Sequence, residues 1–199
     1  MSSEKRMIHS YEVVSSIKIG DKEIVVAMDD KNADGEKYMC CFVDGDGLFE
    51  HYSEAAVSDD YAEIVKLYGT RIAEASERHI EAVKQLGIPV TVITKEDCIP
   101  DHYSHSLKGK VVAIDVKYLR PEFQRADKQL YFVTGGFGAA PNARGRAVFC
   151  TNLHSGEETR IERMEIMGEV KPERMPEWAK EKAETLMRSY KNKDKGAER

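Results

Sequence analysis

One run of helical period stands among stretches of β pattern, and it limits the folds open to the chain. In SDDYAEIVKLYGTRIAEASERHIEAVKQLGIP, residues 58–89, the positions Tyr61, Ile64, Val65, Tyr68, Ile72, Ala75, His79, Val83 and Leu86 fall on one face. Ser58 can cap the start, Asp59 and Asp60 suit the positive first turn, and Gly87 and Pro89 mark the stop. His79 shares the apolar stripe and reads as a packed histidine rather than a catalytic one. Ahead of this helix, YEVVSSIKIGDKEIVVAMDD carries two β-branched runs around Gly20-Asp21, a hairpin signal, and Tyr38 to Val43 supplies a third strand. The DGDG run from Asp44 to Gly47 lacks the glycine and the closing Glu of a calcium loop and reads as a turn. Pro89 to Thr94 reads as one further strand.

From Gly109 onward the β pattern returns in KVVAIDV, LYFVT, RAVFCTNL and TRIERMEIMGEV, with a single helical turn expected at Pro121. A last helix follows, with Met175, Trp178, Ala179, Ala183, Leu186, Met187 and Tyr190 on one side. The whole predicts an α+β chain: an antiparallel sheet with one long packed helix, then a small β-rich, barrel-like lobe and a C-terminal helix. The expected divisions are a front lobe over 1–96, a connector over 97–108, a β-rich lobe over 109–170, a helix over 171–190 and a disordered tail over 191–199.

Charge is unevenly spread. Residues 1–106 carry 11 Lys+Arg against 21 Asp+Glu, residues 107–170 carry 10 against 8, and residues 171–199 carry 9 against 6. An acidic front argues against a general DNA coater, while leaving room for a local anion site in the back half. No stretch has the length and apolarity of a membrane span, and the amino terminus lacks the apolar run of a signal peptide; the expectation is a cytoplasmic protein without membrane contact. Cys40, Cys41, Cys98 and Cys150 show no CxxC spacing and read as reduced structural thiols, the adjacent pair pointing to opposite faces of a strand.

The segment LYFVTGGFGAAPNARGRAVFCTNL, residues 130–153, carries the sharpest question. Gly136-x-Gly138 begins a dinucleotide fingerprint, but Pro141 stands where the third glycine belongs and a strand rather than a helix follows. No Gly-Lys-Ser/Thr completes a phosphate loop either. Two readings stay open: a tight strand connection that needs glycine, or an anion or partner site. In the second, the amides of Gly135, Gly136 and Gly138 with Asn142 form a donor nest beside Arg144 and Arg146. Arg160 and Arg163 can reach the same surface from a neighbouring strand, and Lys108 and Lys110 add charge at its approach. Cys98, Asp101, His102 and His105 in EDCIPDHYSHSLKG have metal-ligand chemistry, yet their spacing matches no structural zinc pattern, so no metal is expected. No GxSxG, HExxH or CxxC unit is present; no catalytic residue and no cofactor is expected.

Gly109-Lys110, Gln129-Leu130, the GGFG of Gly135 to Gly138, the PNARGR of Pro141 to Arg146, Cys150 and Pro176-Glu177-Trp178-Ala179 together are similar to a known set. The stretch Ser106 to Lys182 resembles accessory proteins and domains carried by bacterial integrative conjugative elements and prophages; the front lobe matches loosely. That family has no established activity, so the resemblance implies a setting and no mechanism. It implies a non-enzymatic binding protein of a mobile element, acting on a host or element-encoded protein and blunting a host defence. The acidic set Asp29, Asp30, Asp34, Glu36, Asp44 and Asp46 would suit a basic, nucleic-acid-handling partner or simply be a solvated face. The alternatives are a nucleic-acid-binding factor using the basic back half, and an enzyme or sensor taking a phosphorylated small molecule at the glycine loop.

Overall fold

The computed structural model describes residues 5–32, 35–45 and 50–197, with 191–197 as backbone only. The chain is mixed α+β and divides into two compact units, Met1–Gly87 and Ile88–Arg199.

The first unit is an antiparallel meander of β1 (Met7–Ile8), β2 (Tyr11–Ile19), β3 (Lys22–Met28), β4 (Tyr38–Gly45) and β5 (Glu50–Ser58), followed by α1 (Tyr61–Gln85). Gly20-Asp21 makes the β2–β3 hairpin, with Gly20 at φ 65°, where a side chain would be strained. The central strands are apolar on both sides. Ile24, Val26, Cys40 and Phe42 face Ile64, Leu67, Tyr68, Ile72 and Ala75 of α1. Val25, Ala27, Met39, Cys41 and Val43 are covered by Ile8, Tyr11, Val13 and Tyr52 from the sheet itself. Cys40 and Cys41 therefore enter opposite cores, as strand alternation requires. Strand β5 has a weak sequence signal because EHYSEAAVS is mostly polar or small and none of its residues is fully buried. The cap of α1 is Asp60, whose carboxylate accepts from Ala62 N–H at 2.7 Å; Ser58 Oγ supports it by accepting from Asp60 N–H. Of the DGDG run, Asp46 and Gly47 lie outside the described residues, as does Asp34 of the acidic set.

The second unit is a curled, half-barrel sheet of β6 (Cys98–Pro100), β7 (Val111–Ile114), β8 (Leu130–Gly135), β9 (Ala147–Asn152), β10 (Glu158–Glu162) and β11 (Ile166–Val170). The spatial order is β10-β9-β8-β7-β11-β6. A short helix α2 (Ala126–Gln129) precedes β8, and α3 (Glu177–Ala197) closes the unit. Met175, Ala179 and Ala183, with Trp178, Leu186, Met187 and Tyr190, lie against Val111, Ala113, Leu130 and Phe132 on one face. Val112, Ile114, Val133, Val148, Cys150, Ile161 and Ile166 form the core of the other.

Three expectations are corrected here. Pro89 to Thr94 is no strand: Ile93 gives its N–H to Gln129 Oε1 at 2.8 Å, and its carbonyl accepts from Gln129 Nε2 at 2.9 Å. The same carboxamide nitrogen donates to Ile114 O at 3.1 Å, so a buried side-chain amide supplies the bonds a neighbouring strand would offer. The division falls at Gly87, and the segment 97–108 belongs to the second unit, since Cys98, Ile99 and Pro100 pair with β11. Helix α3 continues to Ala197 rather than ending at 190.

Candidate binding surface

The strand β8 ends at Gly135, and the chain then turns back on itself before β9. Gly136 has φ 98°, and a Cβ there would lie 2.5 Å from Ala147 O. A Cβ on Gly138 would meet Arg146 O at 2.5 Å, and one on Gly145 would meet Phe137 Cβ at 2.8 Å. At Gly136 and Gly138 the two arms of the loop touch backbone to backbone, and at Gly145 the backbone closes on the Phe137 side chain, which is why glycine stands at these positions. Gly135 has open space around it and carries no such requirement. Pro141-Asn142 makes the second turn, with Asn142 at φ 49° and its N–H bonded to Tyr103 O at 2.7 Å.

The loop is braced from behind by Arg163. A short turn over Arg163–Glu165, closed by Glu162 N–H donating to Glu165 Oε2 at 2.8 Å, interrupts the β pattern between β10 and β11 and turns Arg163 inward. Its side chain is 1% exposed. Nε and Nη2 donate to the two carboxylate oxygens of Asp101 at 2.8 Å each, Nη2 also to His105 O at 2.9 Å, and Nη1 to Gly138 O at 2.8 Å and Ala140 O at 2.6 Å. All five guanidinium donors are thus taken, and the Tyr103 ring lies 4.7 Å from the guanidinium carbon. The fork of hydrogen bonds from Arg163 holds the Asp101 carboxyl below the ordinary range against the opposing push of burial, and raises Arg163 in turn.

This corrects the sequence expectation for Arg163, which has no donor left for an external anion. It also changes the reading of Asp101, which is spent on Arg163, and of Cys98, which is buried in the core. His102 and His105 line a cleft of about 370 Å³ with Lys110 and Glu169, and Lys110 donates to Glu169 at 2.9 Å. Among the described residues no three His, Cys, Asp or Glu side chains stand close enough to share a metal ion. Lys108 takes the other direction. With Ser106, Thr134, Gly135, Gly136 and Tyr190 it lines a cleft of about 390 Å³ beside the loop, its ammonium 5.4 Å from the Tyr190 ring.

Outward, the loop presents an aromatic anchor the sequence reading passed over. Phe137 is 86% exposed. Its position between two glycines in a turn was the available signal, since a ring there has no strand or helix face to bury it. Phe149 on β9 is 50% exposed and stands directly opposite Arg160 on β10, so the two share one face of the sheet. Arg146 and Arg160 lie 3.6 and 3.7 Å from the Glu162 carboxylate, and Arg144 is exposed nearby in sequence. The structure therefore brings Gly135, Gly136, Gly138, Asn142, Arg144 and Arg146 into one loop with Arg160 on its flank. Arg163 lies beneath it, Lys108 to one side, and Lys110 in a different cleft.

Burial pushes the thiols of Cys41 and Cys98 to about 11 and that of Cys150 to about 12, and raises Cys40 as well. No nucleophile among them is activated. No described helix is long and apolar enough to cross a membrane. Comparison with protein-family models, curated proteins and solved structures finds no match, so the residues themselves carry the functional argument.

Proposed function

We propose that the chain is a non-enzymatic binding module that docks a protein partner through the braced glycine loop of its second unit. The carrying observation is Phe137: a ring 86% exposed on a backbone held by the buried Arg163–Asp101 pair. Exposed aromatic and arginine side chains are the residue types that dominate binding energy at protein interfaces, and a loop already fixed loses little freedom on docking. The complementary partner has an apolar pocket for Phe137 rimmed by carboxylates for Arg144, Arg146 and Arg160. In the mobile-element setting implied by the motif resemblance, that partner is a host or element-encoded protein, and blunting a host defence is the purpose such docking would serve.

The test is affinity capture of the tagged chain and of Phe137→Ser from a bacterial lysate, each split into nuclease-treated and untreated halves. A stoichiometric protein retained after nuclease, and lost from Phe137→Ser at unchanged thermal stability, is the expected result. Equal capture by both forms refutes the loop as the contact. A second reading is favoured by the pairing of Phe149 with Arg160, since an exposed ring beside a guanidinium is a stacking platform for single-stranded bases. It predicts oligonucleotide affinity that falls steeply with salt and is lost in Phe149→Ala.

A further inference from the structure

The first unit holds a cleft of about 690 Å³, within the size range of small-molecule sites, that the loop of the second unit does not involve. Its walls are the β2–β3 turn at Ile19 to Lys22, Phe42 of β4, Glu54 of β5, and the side of α1 from Leu67 to Ala82. At its base lies Arg71, 9% exposed, on the helix face whose other buried members are Ile64 and Ala75.

The local reason for Arg71 is a β-bulge. The register between β4 and β5 slips between Cys40 and Phe42, and Glu54 opposite adopts φ 52°. Arg71 Nη1 donates to Cys40 O at 3.0 Å and Nη2 to Glu54 O at 2.7 Å, while its guanidinium carbon sits 4.8 Å from the centre of the Phe42 ring. Two carbonyls fix the fork in place but do not balance its charge. Among the described residues Arg71 has no carboxylate partner, and its Nε–H has no acceptor. Buried charge is normally paired, so a guanidinium that lines an open cleft without a counter-ion is a preformed half of an ion pair.

Two further cations face the same space. Lys22 Nζ lies 5.1 Å from the centre of the same Phe42 ring, and Arg78 stands two turns along α1 from Arg71; neither forms an ion pair among the described residues. Asp21, Glu54 and Glu74 also line the cleft, yet leave all three cations without a salt bridge. Their presence confines an anionic group to the Arg71 end and favours a ligand with hydroxyl or amino groups on the rest.

We propose that this cleft binds a small polar metabolite through a terminal carboxylate or phosphate, received by Arg71 with Lys22 and Arg78 closing over it. The test is amide NMR titration of the full chain at constant ionic strength with two arms, citrate for carboxylates and adenosine monophosphate with inorganic phosphate for phosphates. Saturable shifts in either arm, centred on residues 20–22, 42, 54 and 70–82, are expected, and the responding arm assigns the anion. Affinity should fall roughly tenfold to a hundredfold in Arg71→Gln, the loss of one charge-assisted contact. Should that variant fail to fold, the Lys22→Ala, Arg78→Ala double variant, both surface changes, is expected to bind several-fold more weakly. No saturable shift in either arm overturns the proposal, as does saturable binding that is equal in the parent and in the folded variants.

Discussion

Arg163→Met removes a guanidinium while keeping a long apolar stem, and the cost can be worked from what it leaves behind. The Asp101 carboxylate, 4% exposed at its side chain, loses both guanidinium donors and keeps only the Tyr103 N–H on Oδ1 at 3.0 Å, and the carbonyls of Gly138, Ala140 and His105 lose their Arg163 donors. Breaking a buried ion pair from one side costs about 3–5 kcal/mol, and each orphaned buried carbonyl adds roughly 1 kcal/mol unless the loop lifts to admit water. Lifting is the cheaper route, so about 3–5 kcal/mol is the expected loss, or roughly 12–20 °C in Tm at about 4 °C per kcal/mol. The assay is urea unfolding followed by fluorescence of Trp178, which is the chain's one tryptophan and packs in the second unit. Asp101→Asn combined with Arg163→Met removes both charges and is expected to recover about half of the loss. The pH dependence has a definite sign. Asp101 is held below its ordinary value of 3.8, so its contribution is complete at neutral pH and is lost as pH falls below that value; the double variant should flatten this acid limb. A single variant within about 1 kcal/mol of the parent would refute the claim that this pair fixes the loop.

Three other outcomes follow from the same geometry. Gly136→Ala combines positive φ with a 2.5 Å approach to Ala147 O and is expected to cost about 2–5 kcal/mol, whereas Gly135→Ala should change urea stability by less than about 0.5 kcal/mol. Gln129→Leu strips the bonds to Ile93 and Ile114 while keeping the volume, and a loss of about 2–4 kcal/mol with earlier hydrogen exchange at Ile93 is expected. Burial raises all four thiols, so a thiol reagent at pH 8 should label the native chain slowly and the urea-unfolded chain fully at four sites; rapid native labelling would contradict the packing of Cys41, Cys98 and Cys150.

The α+β class was legible because α1 and the strands around it differ in period. The span of α1, the Gly20-Asp21 hairpin and the opposed faces of Cys40 and Cys41 are local properties, written in spacing and backbone preference. The glycine loop was legible as a strand connection for the same reason, since Pro141 and the β-branched run after it deny the helix a nucleotide fold requires. Its surface was half legible: the exposed arginines were foreseen, and Phe137 between its glycines was there to be read.

Partnership across the chain was not legible. Arg160 and Arg163 sit three residues apart, and although strand alternation sets them on opposite faces, the sequence names no partner that would make the inward one a buried clamp. What separates them is a one-turn interruption at Glu162 and an aspartate 62 residues earlier, whose meeting exists only once β6, β11 and the loop are assembled. Likewise Pro89 to Thr94 has the composition of a strand, but Gln129 takes its hydrogen bonds from across the unit. Spacing and backbone preference were enough for α1, the β2–β3 hairpin and the glycine turn, because those choices are made by near neighbours. Which charges are buried, and with what, was settled by assembly of the unit, because burial and pairing depend on residues far apart along the chain.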